Sequence, residues 1–344
     1  MNIIILTLVS LVLLLSFSRS SVLACTLLGA SSETTTDGNV YIGSTSDNNF
    51  LMGPRKPVVL TIPKDGYKFI HTPCLTLTEE GTLVNDGSDR GMNEKGFSWT
   101  RSWVVPKEVE DPDKMKAEDW FIKMGSNVAN VDEAIEFVKS NPKGVGCQGN
   151  YIFADADNNI AVVEVSYFKV TVVEKYKNKE KGLIARANRW ESKDMKALDD
   201  SNDKNKMYFK SSSHRYETAM DLLNKYDGKI DVSVLKNILA NKATTSFSKE
   251  EHGFGINNYG RVGGTVSAEI YDPVNRIFWY TYGWTDDSDL EIDEKIYGKN
   301  INSWKGQWIP FDLNKMEKEG YYTNWDGGLT NLGIEYLMNL NNKY

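Results

Sequence analysis

Cys25 stands where a single residue can carry both a nucleophile and its base. Residues Ile3 to Phe17 form a run of apolar and small residues, followed by Ser-Arg-Ser-Ser and then Val22-Leu23-Ala24. Small residues closing such a run are what signal peptidase accepts. Cleavage is therefore expected after Ala24, making 1–24 a signal peptide and Cys25 the first residue of an exported chain. A terminal cysteine holds an α-amine that titrates near ~8 beside a thiol that titrates near ~8.5, so the amine can take the thiol proton at neutral pH. The chemistry this permits is covalent attack on an acyl carbonyl.

Two other readings of the same residues stand beside this one. An uncleaved anchor helix would need about 20 apolar residues, and the run falls short of that with no Lys or Arg before it. Val-Leu-Ala-Cys also fits a lipoprotein signal, with Cys25 lipidated on sulfur and acylated on nitrogen. That modification blocks both reactive groups and would leave a lipid-anchored, non-catalytic binding protein.

The remaining titratable residues narrow the choice. The chain of 344 residues carries 40 Lys and Arg against 47 Asp and Glu, a net charge of −7, which gives no basis for nucleic acid or an anionic membrane as a partner. The three histidines, His71, His214 and His252, lack zinc-site spacing, and no Cys-x-x-Cys, phosphate loop or G-x-S-x-G occurs. Cys74 and Cys147 are either one disulfide or two buried thiols. With 40% hydrophobic and 25% charged residues, the chain can bury an ordinary core.

The elements that must position Cys25 are mostly hairpins. Thr26 to Leu28 and Asn39 to Ser44 read as strands around Asp37-Gly38, and Val58 to Ile62 pairs with Tyr67 to His71. Gly96 to Val105 is a further strand. Tyr151 to Phe153 and Ile160 to Val165 flank Asp155 to Asn159, and Thr265 to Tyr271 pairs with Arg276 to Gly283. Val131 to Val138, Ser211 to Lys225 and Asp231 to Asn241 carry helical periodicity. Glu191 to Lys206 reads as a polar surface excursion, and the tail beyond Gly283 shows no clear pattern. Hairpins without strand–helix alternation favour an α+β fold of antiparallel sheets with helices on their outer faces. No linker divides residues 25–344, which read as a single domain.

Several segments together resemble the cysteine-type N-terminal-nucleophile amidohydrolases. This superfamily holds the choloylglycine hydrolases, the penicillin V acylases and the acyl-coenzyme A:6-aminopenicillanic acid acyltransferase family. The matching segments are Cys25-Thr26 with Asp37-Gly38, Gly43-Ser-Thr-Ser-Asp47 and Gly91-Met-Asn-Glu-Lys-Gly96. Downstream they are Asn150 to Asp155 through Glu164, Ala187-Asn188, Ser213-His-Arg215 and Gly264 to Gly283. The resemblance implies a four-layer αββα sandwich and hydrolysis or transfer at a non-peptide linear amide through a thioester. It implies a small-molecule amide substrate, no metal or organic cofactor, and no membrane insertion once the leader is gone. Oligomeric state is not implied.

Carried over by position, Cys25 is the nucleophile and Asp47 the carboxylate set against it. Asn188 is the oxyanion-hole asparagine, and Arg215 is an arginine at a helix start that stabilises the site electrostatically. Three departures affect the substrate. Ser44 stands where choloylglycine hydrolases carry arginine, a second asparagine is missing near Trp103, which leaves part of the oxyanion hole to backbone N–H groups, and Asn188 is followed by Arg189 instead of histidine. A dipeptidase of the same clan, which also begins Cys-Thr, remains an alternative. Trp99, Trp103, Tyr282 and Trp284 flank the matched segments as candidate walls of an acyl pocket.

Overall fold

Short strands of alternating polarity, separated by tight turns, pair with their neighbours in space. The computed structural model describes residues 25–49, 56–73, 75–77, 83–85, 87–108, 117–140, 147–200, 202–204, 207–241, 255–256, 263–282, 308–324 and 328–341. The expected leader 1–24, Cys74, His252 and Trp284 lie outside the described residues.

A six-stranded sheet runs, in spatial order, β12 (Leu183–Arg186), β1 (Leu27–Ala30), β2 (Tyr41–Asn49), β13 (Gly263–Asp272), β14 (Ile277–Tyr282) and β15 (Ile309–Asp312). An eight-stranded sheet runs β11 (Val170–Tyr176), β10 (Ile160–Val165), β9 (Gly149–Ala154), β8 (Ser98–Ser102), β7 (Arg90–Asn93), β4 (Phe69–His71), β3 (Val59–Thr61) and β16 (Gly320–Tyr321). The ribbon of β5 (Leu75–Leu77) and β6 (Leu83–Asn85) stands apart. Every ladder among these strands is antiparallel.

Period-two alternation sorts each strand between two cores. On β1, Leu27 enters the core between the sheets while Leu28 and Ala30 face the other way. Around β2, Val40 and Ile42 join Leu27, and Tyr41 joins Leu28. The outer face of the six-stranded sheet is covered by α4 (Met207–Lys225) and α5 (Val232–Leu239), which bury Ala219, Leu223, Leu235, Ile238 and Leu239 against it. The outer face of the eight-stranded sheet is covered by α1 (Ala117–Asn127) and α2 (Val131–Ser140), with Trp120, Phe121, Met124 and Val138 against Phe69, Phe97, Trp99 and Phe153. The layers are therefore αββα. Each large apolar side chain buried this way contributes about 1.5–3 kcal/mol.

Local signals explain where the helices begin. Val131, Ala134, Ile135 and Val138 form one buried stripe on α2. Asn130 Oδ1 accepts from Glu133 N–H, while Glu133 Oε2 accepts from Ala129 N–H, a reciprocal cap. Asp231 caps α5 as expected, accepting from Val234 N–H at 2.7 Å.

Other expectations need correction. α1, β7, β11 and β12 are elements the sequence reading passed over: β7, β11 and β12 are short or of mixed polarity, whereas α1 does carry a buried stripe at helical spacing, Ala117, Trp120, Phe121 and Met124. The 191–206 excursion holds a short helix, α3 (Lys193–Lys196), whose Met195 packs with Trp190 and Val104. The helix expected from Ser211 begins one turn earlier, at Met207. The tail beyond Gly283 supplies β15, β16 and α6 (Asn331–Asn341). Among the described residues, no helix is long and apolar enough to cross a membrane.

Candidate active site

Cys25 leads into β1, and everything around it is held by neighbouring strands and the first turns of α4. The β1–β2 pairing sets Leu27 opposite Ser44. One step upstream, Thr26 N–H donates to Thr45 Oγ1 at 3.0 Å, and Thr45 N–H to Thr26 O at 2.9 Å. Cys25 is 7% exposed.

Arg215 organises the cluster from α4. It is fully buried. Its Nη1 donates to Cys25 O at 2.5 Å and to Thr26 Oγ1 at 3.0 Å. Its Nη2 donates to Asn188 Oδ1 at 3.0 Å and Ser212 Oγ at 3.4 Å, and its Nε donates to Ser211 Oγ at 3.3 Å. Burial pulls the arginine below its ordinary pKa, and the charges of Asp47, Tyr208 and Cys25 oppose that pull. Asp47 is 2% exposed, lies opposite Thr265 in the β2–β13 ladder, and accepts from Thr265 Oγ1 at 2.5 Å. Asn188 follows β12, and its Nδ2 donates to Trp103 O at 2.9 Å. The four residues singled out from the sequence thus form one buried cluster.

A second set of charges occupies the inter-sheet face of β2. Ser44 and Ser46 point there, and Arg90 from β7 reaches both, its Nε to Ser44 Oγ at 3.1 Å and its Nη1 to Ser46 Oγ at 3.3 Å. Nη2 of the same guanidinium donates to Thr45 O and Arg101 O. Asp89 bridges Arg90 at 2.9 Å and Lys56 at 2.6 Å, with Arg101 at 3.7 Å. Burial pushes Asp89 upward, but the three cations overcome it and hold the carboxyl well below the usual range. Burial would also discharge Arg90, but Asp89, Cys25 and Glu269 outweigh it. Glu269 lies 3.4 Å from Arg90 Nε and accepts from Ser44 and Ser267; burial still holds it above the usual carboxylate range. Sequence reading missed this network, whose only signal was Asp89-Arg90 directly ahead of the G-x-N-x-x-G turn.

That turn is structural. Asn93 donates from Nδ2 to Gly125 O and Val128 O and accepts at Oδ1 from Lys95 and Phe97 N–H, clamping β7 to the end of α1. The aromatic residues expected to wall a pocket are divided. Trp99 is fully buried under α1 with its indole N–H on Ser88 O, and Tyr282 lies in the inter-sheet core. Trp103 is half-buried, and its carbonyl holds Asn188. A cleft of about 290 Å³, lined by Lys315, Lys318, Tyr322 and Tyr336 among others, shares no residue with the Cys25 cluster. Cys147 is buried in the outer core. Among the described residues, no group of three or more His, Cys, Asp or Glu could hold a metal ion.

An antiparallel αββα sandwich with this cluster at the head of β1 is the arrangement expected of an amide-cleaving enzyme of the N-terminal-nucleophile class. The model of the acyl-coenzyme A:6-aminopenicillanic acid acyl-transferase family matches residues 35–287, and the chain belongs to that family. The match begins downstream of Cys25 and takes in Asp47, Asn188 and Arg215. No curated protein matches the chain. Among solved structures it is similar to a mutant of conjugated bile acid hydrolase from Clostridium perfringens, at 15% identity and a TM-score of 0.45 over 88% of this chain and 94% of that one. Penicillin V acylase from Agrobacterium tumefaciens follows at 13% identity and a TM-score of 0.47, over 74% and 82%. The N-acylethanolamine-hydrolyzing acid amidase ortholog of Caenorhabditis elegans stands at 11% and 0.43, over 73% and 93%.

Proposed function

We propose that this protein is an exported N-terminal-cysteine amidohydrolase or acyltransferase. It matures by loss of residues 1–24 and cleaves a small N-acyl compound through a thioester on Cys25. The observation that carries this reading is the Arg215 guanidinium, which bonds both the carbonyl of Cys25 and the side chain of Asn188. A buried group with two such attachments holds nucleophile and amide donor in fixed relation, as acyl transfer requires.

In the intact chain the nitrogen of Cys25 is an amide to Ala24 and has no basicity. Maturation turns it into an amine. The amine takes the thiol proton, and the thiolate attacks the substrate carbonyl, forming a C–S bond and an oxyanion. The free N–H of Asn188 donates to that oxyanion. Collapse breaks the C–N bond as the ammonium returns its proton to the leaving amine. Water or an acceptor amine then breaks the C–S bond and releases the acyl group. Asp47 keeps Arg215 charged through its proximity, and so keeps the scaffold of the site intact.

The test is a panel of penicillin V, conjugated bile salts, N-acyl amino acids and dipeptides offered to the mature protein, with intact-mass detection of an acyl-enzyme. Turnover of at least one N-acyl compound is expected, abolished by Cys25→Ser and by any residue left ahead of Cys25. Full activity in Cys25→Ser removes the assignment of nucleophile.

A further inference from the structure

We infer that Tyr208 is a further catalytic residue of this site, its hydroxyl donating a hydrogen bond to the carbonyl oxygen of the acyl group that Cys25 attacks. The inference rests on the function proposed above. Most donors around Cys25 are already engaged. A guanidinium has five hydrogens, and Arg215 directs them to Cys25 O, Thr26 Oγ1, Asn188 Oδ1, Ser212 Oγ and Ser211 Oγ. Asn188 gives one of its two amide hydrogens to Trp103 O. One N–H is left for an oxyanion that is ordinarily met by two donors.

Tyr208 offers a second. Helical spacing places it on the stripe of Ser211, Ser212 and Arg215, at i, i+3, i+4 and i+7 of α4. That stripe faces Cys25 and Asn188 through Arg215. The ring of Tyr208 is only half-buried as a whole, yet its hydroxyl oxygen is buried, and among the described residues it has no hydrogen-bond partner. A tyrosine usually keeps its polar tip wet and its ring dry. Here the order is reversed, and leaving the hydroxyl desolvated and unpaired is unfavourable. Such a cost is offset when a ligand supplies the partner.

The phenol is also in the right protonation state and within electrostatic reach. Burial holds its pKa far above the ordinary value, Arg215 pulling it down and Cys25 and Asp199 adding to the rise. The O–H bond therefore persists at every pH at which Cys25 works. It strengthens its hydrogen bond as the carbonyl becomes an oxyanion and relaxes when the thioester forms. No bond to Tyr208 is made or broken.

The experiment compares two reactions at Cys25 in the mature protein. Acylation by p-nitrophenyl acetate, hexanoate and phenoxyacetate passes through an oxyanion, and alkylation by iodoacetamide does not. Both are read at Cys25 by mass spectrometry, with Cys25→Ala as the control. In Tyr208→Phe, acylation is expected to slow roughly 10- to 100-fold, with alkylation unchanged and the melting temperature equal or higher. Unchanged acylation overturns the inference. Equal slowing of both reactions overturns it too, since the hydroxyl then acts on the thiol. A lowered melting temperature or a failure to fold shows a structural hydrogen bond and does the same. Absence of any Cys25-dependent acylation in the unmodified protein overturns the proposed function and this inference together. Cys25-dependent acylation that Tyr208→Phe leaves intact overturns this inference alone.

Discussion

Arg215 Nη2 meets Asn188 Oδ1 at 3.0 Å, and this contact decides which way the asparagine amide points. A guanidinium offers only hydrogens, so the oxygen of the amide must face it and the NH2 must face away. The Trp103 carbonyl on the other side agrees, accepting from Nδ2 at 2.9 Å. One N–H then remains, with its direction set by two fixed partners.

Asn188→Ala should lower kcat on the order of 100-fold, the usual loss when one oxyanion donor is removed. It also leaves an Arg215 N–H and the Trp103 carbonyl unpaired, a stability cost of about 1–3 kcal/mol. Steady-state kinetics and urea unfolding of the same preparation separate the two effects.

Asp89→Asn should destabilise by about 3–5 kcal/mol, because three buried cations lose their common counter-ion. The midpoint of urea unfolding should fall. An unchanged midpoint would show that Lys56, Arg90 and Arg101 do not depend on Asp89.

His71 provides a pH dependence with a definite sign. Its ring hydrogen-bonds Ser88 Oγ at 2.5 Å and Thr61 Oγ1 at 2.8 Å, and burial pushes its pKa down to about 3. The unfolded chain takes up a proton near pH 6.5, its ordinary value, and the native chain does not. Stability is therefore full above about 6.5 and is lost as pH falls towards about 3. His71→Gln, which preserves hydrogen-bonding groups without the titration, should move the midpoint of acid unfolding to lower pH. A circular-dichroism titration of both proteins checks this.

Gly96→Ala should cost about 2 kcal/mol or more, since it strains the backbone and forces a neighbour to move. Its φ is +84°, and an added Cβ would lie 2.4 Å from Pro273 O. Thermal unfolding reads the loss. A melting temperature equal to that of the parent protein would show that the turn can relax away from the 272–275 hairpin.

Legibility in the sequence followed the range of each interaction. Hairpins such as 149–165 and 263–282, and the start of α5 at Asp231, rest on residues within a few positions of one another, and all were readable. The G-x-N-x-x-G turn was readable as a turn, but Asn93 shows its clamping partners only once α1 is in place. Trp99 reads in the sequence as a candidate pocket wall, although such aromatics are more often core, and α1 covers it. Tyr208 was hidden because the polar stretch before it gave no apolar period from which to start α4.

The grouping of Cys25 with Asp47, Asn188 and Arg215 was an expectation the sequence alone supplied, since residue type and order carry that information. The sequence also determined the antiparallel α+β layering, because alternation and turn chemistry are local. Only the tertiary structure decided that Arg215 engages every hydrogen it has, that Arg90 comes to Ser44 from a strand of the other sheet, and that the Tyr208 hydroxyl is buried with no partner among the described residues. Those facts depend on distances between segments far apart in the chain, where burial removes competing water and leaves each donor the partners that packing supplies.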